Sequence, residues 1–440
     1  MSNRADWVLA PRWLIPVEPE GVVLENHALG VRDGVIAGIE PRAAAAEKWP
    51  DAEWVERPQH AVIPGLVNAH THAAMNLLRG FADDLPLDTW LSEHIWPAEQ
   101  RWADRNFVRD GVDLAVLEMI RGGTTCFQDM YMFPDEVAAV AAERGIRAVV
   151  SIIVIEAPTA WATTIDEYLG RGLEVHDRYR GHPLVTTAFG PHAPYTVGDT
   201  ALERIVVLAD QLELNIQMHV HETQSEVDQA VAARGQRPLA RLNKLGLLTP
   251  ALNAVHATAL TDAEIELLAE RGVHVIHCPE SNMKLASGAC RVKDLLAAGV
   301  NVALGTDGAA SNNDLDMFGE MRSAALLTKL THADAAALPA AAALRAATLS
   351  GAQALGLGET TGSLLPGKAA DIVAVDLSAP ACQPVHNALS QLVYSACRDQ
   401  VTDVWVNGRQ LYGEHTLQTA DAEDVIARAN AWQMRMRSGS

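Results

Sequence analysis

The sequence predicts an α/β fold: a (β/α)8 TIM-type barrel with a small β-sandwich domain formed by both chain termini. Two observations carry this expectation. From about residue 61 onward, short apolar runs alternate with helical stretches until eight strands have been counted. Before and after that region the chain instead holds short alternating segments with turn signals, and neither end alone is large enough for a stable core.

The elements follow in order. Residues 1–61 contain "WLIPV", "GVVLENHALGVRDGVIAGIEP" and "AEWVERP", with a turn at Asp33–Gly34, and form the N-terminal part of the β-sandwich. Residues 62–361 form the barrel. "HAVIPGLVNAHTH" is its first strand, followed by "TTCFQDM", "IRAVVSIIVI", "VTTAFGPHA", "NIQMHVHE", "LNAVHATAL", "VHVIHCPES" and "VNVALGTDG". Helices separate the strands, among them "VRDGVDLAVLEMIRGG", "TDAEIELLAERG" and "PDEVAAVAAERG", the last with Pro in its first turn and Gly at its end. Eight strands with helical returns require parallel pairing. An open doubly wound sheet is the alternative, weakened by the lack of a GxGxxG loop after the first strand. "PAAAALRAATLSGAQALGLG" reads as one helix packed outside the barrel. Residues 362–415 resume the sandwich style in "GSLLPGKAADIVAVDL" and "VTDVWVNGRQLY", and residues 416–440 form a helical tail that frays.

Bulk properties narrow the function. The 440 residues are 49% hydrophobic, enough for a large interior, yet no apolar run approaches the ~20 residues that cross a bilayer. The N-terminus lacks the features of a signal peptide, so a cytoplasmic protein without membrane contact is expected. Five cysteines, an odd number with no CxxC pair, fit reduced thiols. A net charge of −21 disfavours nucleic acid and favours a substrate that is neutral, cationic or small. A homo-oligomer is expected.

The chemistry lies at the strand C-termini, where barrel enzymes place it. His70 and His72 end the first barrel strand, His192 the fourth, and His219, His221 and Glu222 the fifth. His256 lies on the sixth and Asp307 ends the eighth. Polar residues gathered at one rim are hard to explain as packing, because each buried polar group needs a partner. Three histidines and one aspartate suit Zn2+. We assign His70, His72, His219 and Asp307, although His219 and His221 are placed on one side of the strand and spacing does not separate them. No lysine falls at a strand end to bridge a second ion, so one metal per chain is expected. Such a Zn2+ makes hydroxide available near neutral pH. Asp307 is placed to accept or orient the water's proton, Glu222 to shuttle a proton to substrate, and His256 to hydrogen-bond the nucleophile or the developing alkoxide.

"PGLVNAHTH", "HVHET", "VHATAL", "HCPESNMKL" and "GTDGAASNN" together resemble the amidohydrolase superfamily, in particular its mononuclear branch of methylthioadenosine/S-adenosylhomocysteine deaminases and chlorohydrolases. The resemblance spans nearly the whole chain. It implies that His219, three residues before Glu222, is the ligand on the fifth strand. It implies that Glu222 protonates a purine ring nitrogen, that His256 assists at the hydroxide and that His192, in "PHAPY", hydrogen-bonds the purine. Glu99, in "WPAEQRW", then grips the ribose hydroxyls, with Ser311 a further purine-pocket candidate. The implied activity is metal-dependent deamination of adenosine, 5′-methylthioadenosine or S-adenosylhomocysteine, a small-molecule nucleoside, with Zn2+ replaceable by Fe or Mn. The alternatives are a chlorohydrolase or a deaminase of guanine or another heterocycle. A barrel kept only as a scaffold would have lost ligands, and the set is complete. The loop "IEAPTAWATTIDEYLGRG" should help form the 5′ pocket; its Arg171 is read as an ordinary surface residue.

Overall fold

The computed structural model describes residues 4–413 and 415–439, and their strands fall into two sheets. Both termini contribute to the first. Its N-terminal strands are β1 (Trp7–Leu14), β2 (Leu24–Glu25), β3 (His27–Arg32), β4 (Val35–Pro41) and β5 (Glu53–Pro64). The eight strands of the second sheet follow: β6 (Leu66–Thr71), β7 (Thr124–Asp129), β8 (Arg147–Val154), β9 (Val185–Pro191), β10 (Ile216–Val220), β11 (Leu252–His256), β12 (His274–His277) and β13 (Val302–Leu304). The chain then returns to the first sheet with β14 (Ile372–Asp376), β15 (Val401–Val406), β16 (Arg409–Gly413) and β17 (Thr416–Leu417).

The terminal sheet runs β17-β16-β15-β14-β5-β1-β3-β4, with β2 paired to β1. The two chain ends meet where β14 lies antiparallel to β5. Alternate residues of β1 serve two apolar clusters, Leu9 on one side and Val8 with Ala10 on the other. Asp33 and Gly34, at φ 52° and 77°, form the two-residue hairpin turn that a D-G pair predicts.

In the second sheet every paired neighbour is parallel and the order follows the sequence from β6 to β13, as right-handed crossover connections produce. Closure between β13 and β6 comes from a few specific bonds. Asn68 Nδ2 donates to Thr306 Oγ1 at 2.7 Å, Thr306 N donates to Asn68 Oδ1 at 3.0 Å, and Asp307 N donates to His70 O at 3.0 Å.

Three local expectations change. The run around Pro64–Gly65 is two strands: β5 belongs to the terminal sheet and β6 to the barrel. Gly65 marks the break, because a Cβ there would lie 1.9 Å from Thr125 Oγ1. The Ala-rich segment is two helices, Ala340–Ala346 and Leu349–Ala354. The second closes the barrel floor instead of lying outside: Ala352 and Leu355 share a cluster with Val67, Val149 and Val255, and a Cβ on Gly351 would meet Val67 at 2.9 Å. The tail begins as β17, paired with β16, is then helical over Ala422–Ser438, and docks on the helix Arg105–Arg121 through Arg428 and Trp432. Among the described residues all five cysteines are free and no helix is long and apolar enough to cross a membrane.

Candidate active site

Three imidazoles meet at the C-terminal rim of the barrel. Each has its Nδ1 tied to an acceptor: His70 to Gln217 Oε1 at 2.8 Å, His72 to Met130 O at 2.6 Å and His219 to His192 O at 2.8 Å. Gln217 is held in turn by donating to Ala69 O at 2.8 Å. An Nδ1–H that donates leaves the lone pair on Nε2. Those Nε2 atoms converge, with His219 Nε2 3.2 Å from His70 Nε2. Asp307 Oδ1 completes the group at 3.3 Å from His72 Nε2 and 3.5 Å from His70 Nε2. Its other oxygen accepts from Ser281 Oγ at 2.7 Å and Ser311 Oγ at 2.8 Å. Three imidazole nitrogens and one carboxylate, buried except for the half-buried His72 and aimed at one point, fit Zn2+.

Burial sets the charge states. It lowers His70 to about 4, His192 to about 3 and His256 to about 4, so these rings are neutral and free to ligate or hydrogen-bond. For Asp307, burial opposes ionisation, but the imidazoles around it outweigh that and hold the carboxyl well below its ordinary range. Glu222 is different: burial, reinforced by the charge of Asp307, raises it to about 8, and it carries its proton at neutral pH.

Glu222 lies just past β10, with Oε2 3.7 Å from His256 Nε2. The Glu226 carboxylate accepts from Glu222 N at 2.7 Å and from His221 N at 3.2 Å, fixing the backbone that carries the acid. His256 ends β11 in the left-handed region at φ 72°, a conformation a non-glycine residue adopts only under constraint. Asn282 Nδ2 stands 3.0 Å from its Nδ1, so the neutral ring presents Nε2–H toward the site. Beside Glu222 opens a cavity of about 470 Å3, whose lining includes Leu91, Trp96, Tyr195 and Arg234.

His221 does not share a side with His219. The strand ends at Val220, and His221 at φ 52° turns its ring away, with Nε2 accepting from Leu239 N at 3.2 Å. The even spacing assumed for 219 and 221 fails because the extended backbone stops between them. His192 lies just past β9, its ring 4.9 Å from that of His219 and its Nδ1 on Thr196 Oγ1 at 2.9 Å. Glu99, half-buried on the helix Trp96–Trp102, is raised by burial and partly drawn back by the Tyr131 hydroxyl and by His72, which brings it to the same rim. The Ser311 hydroxyl lies 2.8 Å from Asp307 Oδ2 and 3.0 Å from Gly308 O. Arg171 lies over the Trp161 ring at 5.6 Å and bonds the Trp161 carbonyl, on the loop after β8. Sequence reading missed Gln217, Ser281, Asn282 and Glu226, which orient the groups that act. Ser281 and Asn282 sit in "HCPESNMKL", a motif that singled out their segment without their roles.

Residues 61–411 match the model of the amidohydrolase family. The chain is 48% identical over 435 residues to a 5-methylthioadenosine/S-adenosylhomocysteine deaminase of Teredinibacter turnerae, covering 99% of this chain and 98% of that one. An adenosine deaminase from Xanthomonas campestris, solved with bound zinc, is 54% identical and superposes with a TM-score of 0.98 over 99% of each chain. The atrazine chlorohydrolase of Arthrobacter aurescens complexed with zinc shares the fold at TM-score 0.91, but only 22% of the sequence, over 97% of this chain and 99% of that one.

Proposed function

The chain belongs to the amidohydrolase family, and from that premise we propose that it is a zinc-dependent hydrolase that deaminates an adenine nucleoside, releasing ammonia and the inosine-type product. Its substrates are drawn from adenosine, 5′-methylthioadenosine and S-adenosylhomocysteine. The observation that carries the reading is the Glu222 carboxyl, 3.7 Å from His256, beside three imidazoles (His70, His72 and His219) clustered as metal ligands would be, in a chain whose full-length relatives bear these deaminase names.

His70, His72, His219 and Asp307 would hold a Zn2+, which would supply a water whose pKa is lowered to about 7. Asp307 takes a proton from the attacking water as its oxygen bonds to C6. Glu222 gives its proton to N1, so the ring electrons displaced by the attack are neutralised there. His256 Nε2–H holds the new oxygen as charge develops on it. Asp307 then passes its proton to the exocyclic amine, the C6–N6 bond breaks and ammonia leaves. Glu222 recovers a proton from the C6 hydroxyl, leaving a carbonyl with N1 protonated, and both carboxyls return to their starting states. His192 orients the purine and Glu99 accepts from the ribose diol.

The test is ammonia release, followed together with loss of the adenine absorbance, on adenosine, methylthioadenosine, S-adenosylhomocysteine and guanine. The expected result is turnover of adenine nucleosides and none of guanine. Turnover of guanine, with the adenine nucleosides inert, would overturn the reading.

A further inference from the structure

β6 carries one residue more than β7 pairs with. From Asn68 to Thr71 it takes three steps while its neighbour takes two, from Phe127 to Asp129. The extra residue is a bulge at Ala69–His70. Val67 and Ala69 pack in the cluster that holds Val255, and Val255 is paired with His219, so all of these side chains stand on one side of the sheet. On an unbroken strand His70, next after Ala69, would take the other side. Its ring instead reaches Gln217 Oε1 and His219 Nε2, so the bulge re-aims it into the site. His72 then lies past the last residue of β6, where no ladder holds its backbone. One carboxylate holds the chain there. Asp129, buried at the end of β7, accepts through Oδ1 from Ala73 N at 2.6 Å. The same oxygen lies 3.0 Å from Thr71 Oγ1, a hydroxyl also within reach of Gln128 O at 2.9 Å. Its donors thus stand on either side of His72. The next residue completes the clamp: Met130 N donates to Thr71 O at 3.0 Å, and Met130 O accepts from His72 Nδ1 at 2.6 Å. Asp129 Oδ2 is buried and meets no partner among the described residues, a cost that calls for a compensating role at Oδ1.

We propose that Asp129 is a positioning residue of the metal centre, which through Oδ1 grips the chain on both sides of His72 and fixes that imidazole beside His70 after the bulge. The proposal rests on the reading of His72 as a zinc ligand. A ligand must be held within about 0.5 Å of its place to serve a metal. The bond from Nδ1 to Met130 O sets how the His72 ring is turned, and Asp129 sets where its backbone stands. One oxygen can do this because a carboxylate oxygen has two lone pairs, one for each donor. Asparagine at 129 keeps such an oxygen and alanine removes it.

The test is chelator competition for zinc with the wild-type protein, Asp129→Ala, Asp129→Asn, His72→Ala and the double variant of Asp129→Ala with His72→Ala. Thermal unfolding of each metal-free protein is measured alongside. Asp129→Ala should weaken zinc binding about 10–100-fold, the range found for residues that orient ligands, and Asp129→Asn should stay within about threefold of wild type. His72→Ala should weaken it further than either. Adding Asp129→Ala to His72→Ala should then cost less than about twofold more, because the ligand it serves is gone. If Asp129→Ala binds zinc like the wild type, whatever its metal-free stability, the proposal is overturned. It is overturned equally if Asp129→Asn is as impaired as Asp129→Ala, or if the loss persists in full without His72. If His72→Ala itself keeps wild-type affinity, His72 is no ligand, and the metal reading fails together with the proposal. Should Asp129→Ala not fold, Asp129→Leu, which fills the space without supplying an acceptor, takes its place in each comparison. Failure of both to fold assigns the carboxylate to the barrel and overturns the positioning role.

Discussion

The Asn68 carboxamide bridges the barrel seam to Thr306, donating through Nδ2 at 2.7 Å and accepting through Oδ1 at 3.0 Å. β13 makes no ladder with β6, and this side chain, together with the bond from Asp307 N to His70 O, supplies the pairing instead. His70 lies two residues past Asn68 and Asp307 one past Thr306, so the seam also sets the spacing of two candidate ligands. Asn68→Ala leaves the buried Thr306 N–H unpaired and should cost about 2–3 kcal/mol. It should also weaken zinc binding. Thermal unfolding of the metal-loaded protein and a chelator competition check both effects, and unchanged zinc affinity would show that the seam does not tune the site.

Gln217 should matter to the metal without touching it. Gln217→Leu removes the acceptor that holds His70 in its Nδ1–H tautomer. Such orienting partners are typically worth 10–100-fold in metal affinity. The expected outcome is a loss in that range in competition titration with zinc.

Glu222→Gln keeps the shape and removes the donor. Loss of a general acid costs about 10²–10⁴ in rate. We expect kcat to fall within that range while zinc stoichiometry stays at one per chain; a drop below tenfold would remove Glu222 from the proton path.

Arg147 and Asp371 form a buried ion pair between a barrel strand and the terminal sheet, 2.9 Å from Nε to Oδ2, and Asp371 also accepts from Asn407 N at 2.7 Å. Asp371→Ala leaves an uncompensated guanidinium in the interior. Breaking such a pair on one side costs about 3–5 kcal/mol. Urea unfolding measures it, and Asp371→Asn should recover part of the loss by keeping an acceptor for Asn407.

The docking of the tail helix should be acid-sensitive. Burial works to raise Asp113, but Arg144 and Arg428 outweigh it and leave the carboxyl below the ordinary aspartate value of 3.8. A carboxyl lowered on folding contributes stability that is fully present above its unfolded pKa and lost as pH falls through the folded value. Protection of Ala422–Ser438 from proteolysis or hydrogen exchange should therefore persist down to about pH 4 and decline below it. Asp113→Asn should weaken docking at neutral pH and flatten that decline.

Much was legible in the sequence because it is written locally. Each barrel strand is a short apolar run between helical periods, and the histidines and acids stand at the strand ends where such a barrel places its chemistry. The candidate metal ligands stand out because His and Asp, both residue types that bind metal, rarely appear in buried strands without cause. The sequence could not tell that Pro64–Gly65 divides two sheets, since both sides of the break are equally apolar and only the approach of Thr125 demands the glycine. Nor could it separate His219 from His221 by spacing, because the left-handed turn at His221 is imposed by partners on neighbouring segments, Leu239 N and Glu226 among them. The chain by itself determined which residue types could do the chemistry; the tertiary structure decided which nitrogen faces inward and which carboxyl keeps its proton. Those depend on hydrogen bonds and burial contributed by residues distant in sequence, such as Gln217 on His70 and Asp307 near Glu222, and no local pattern encodes them.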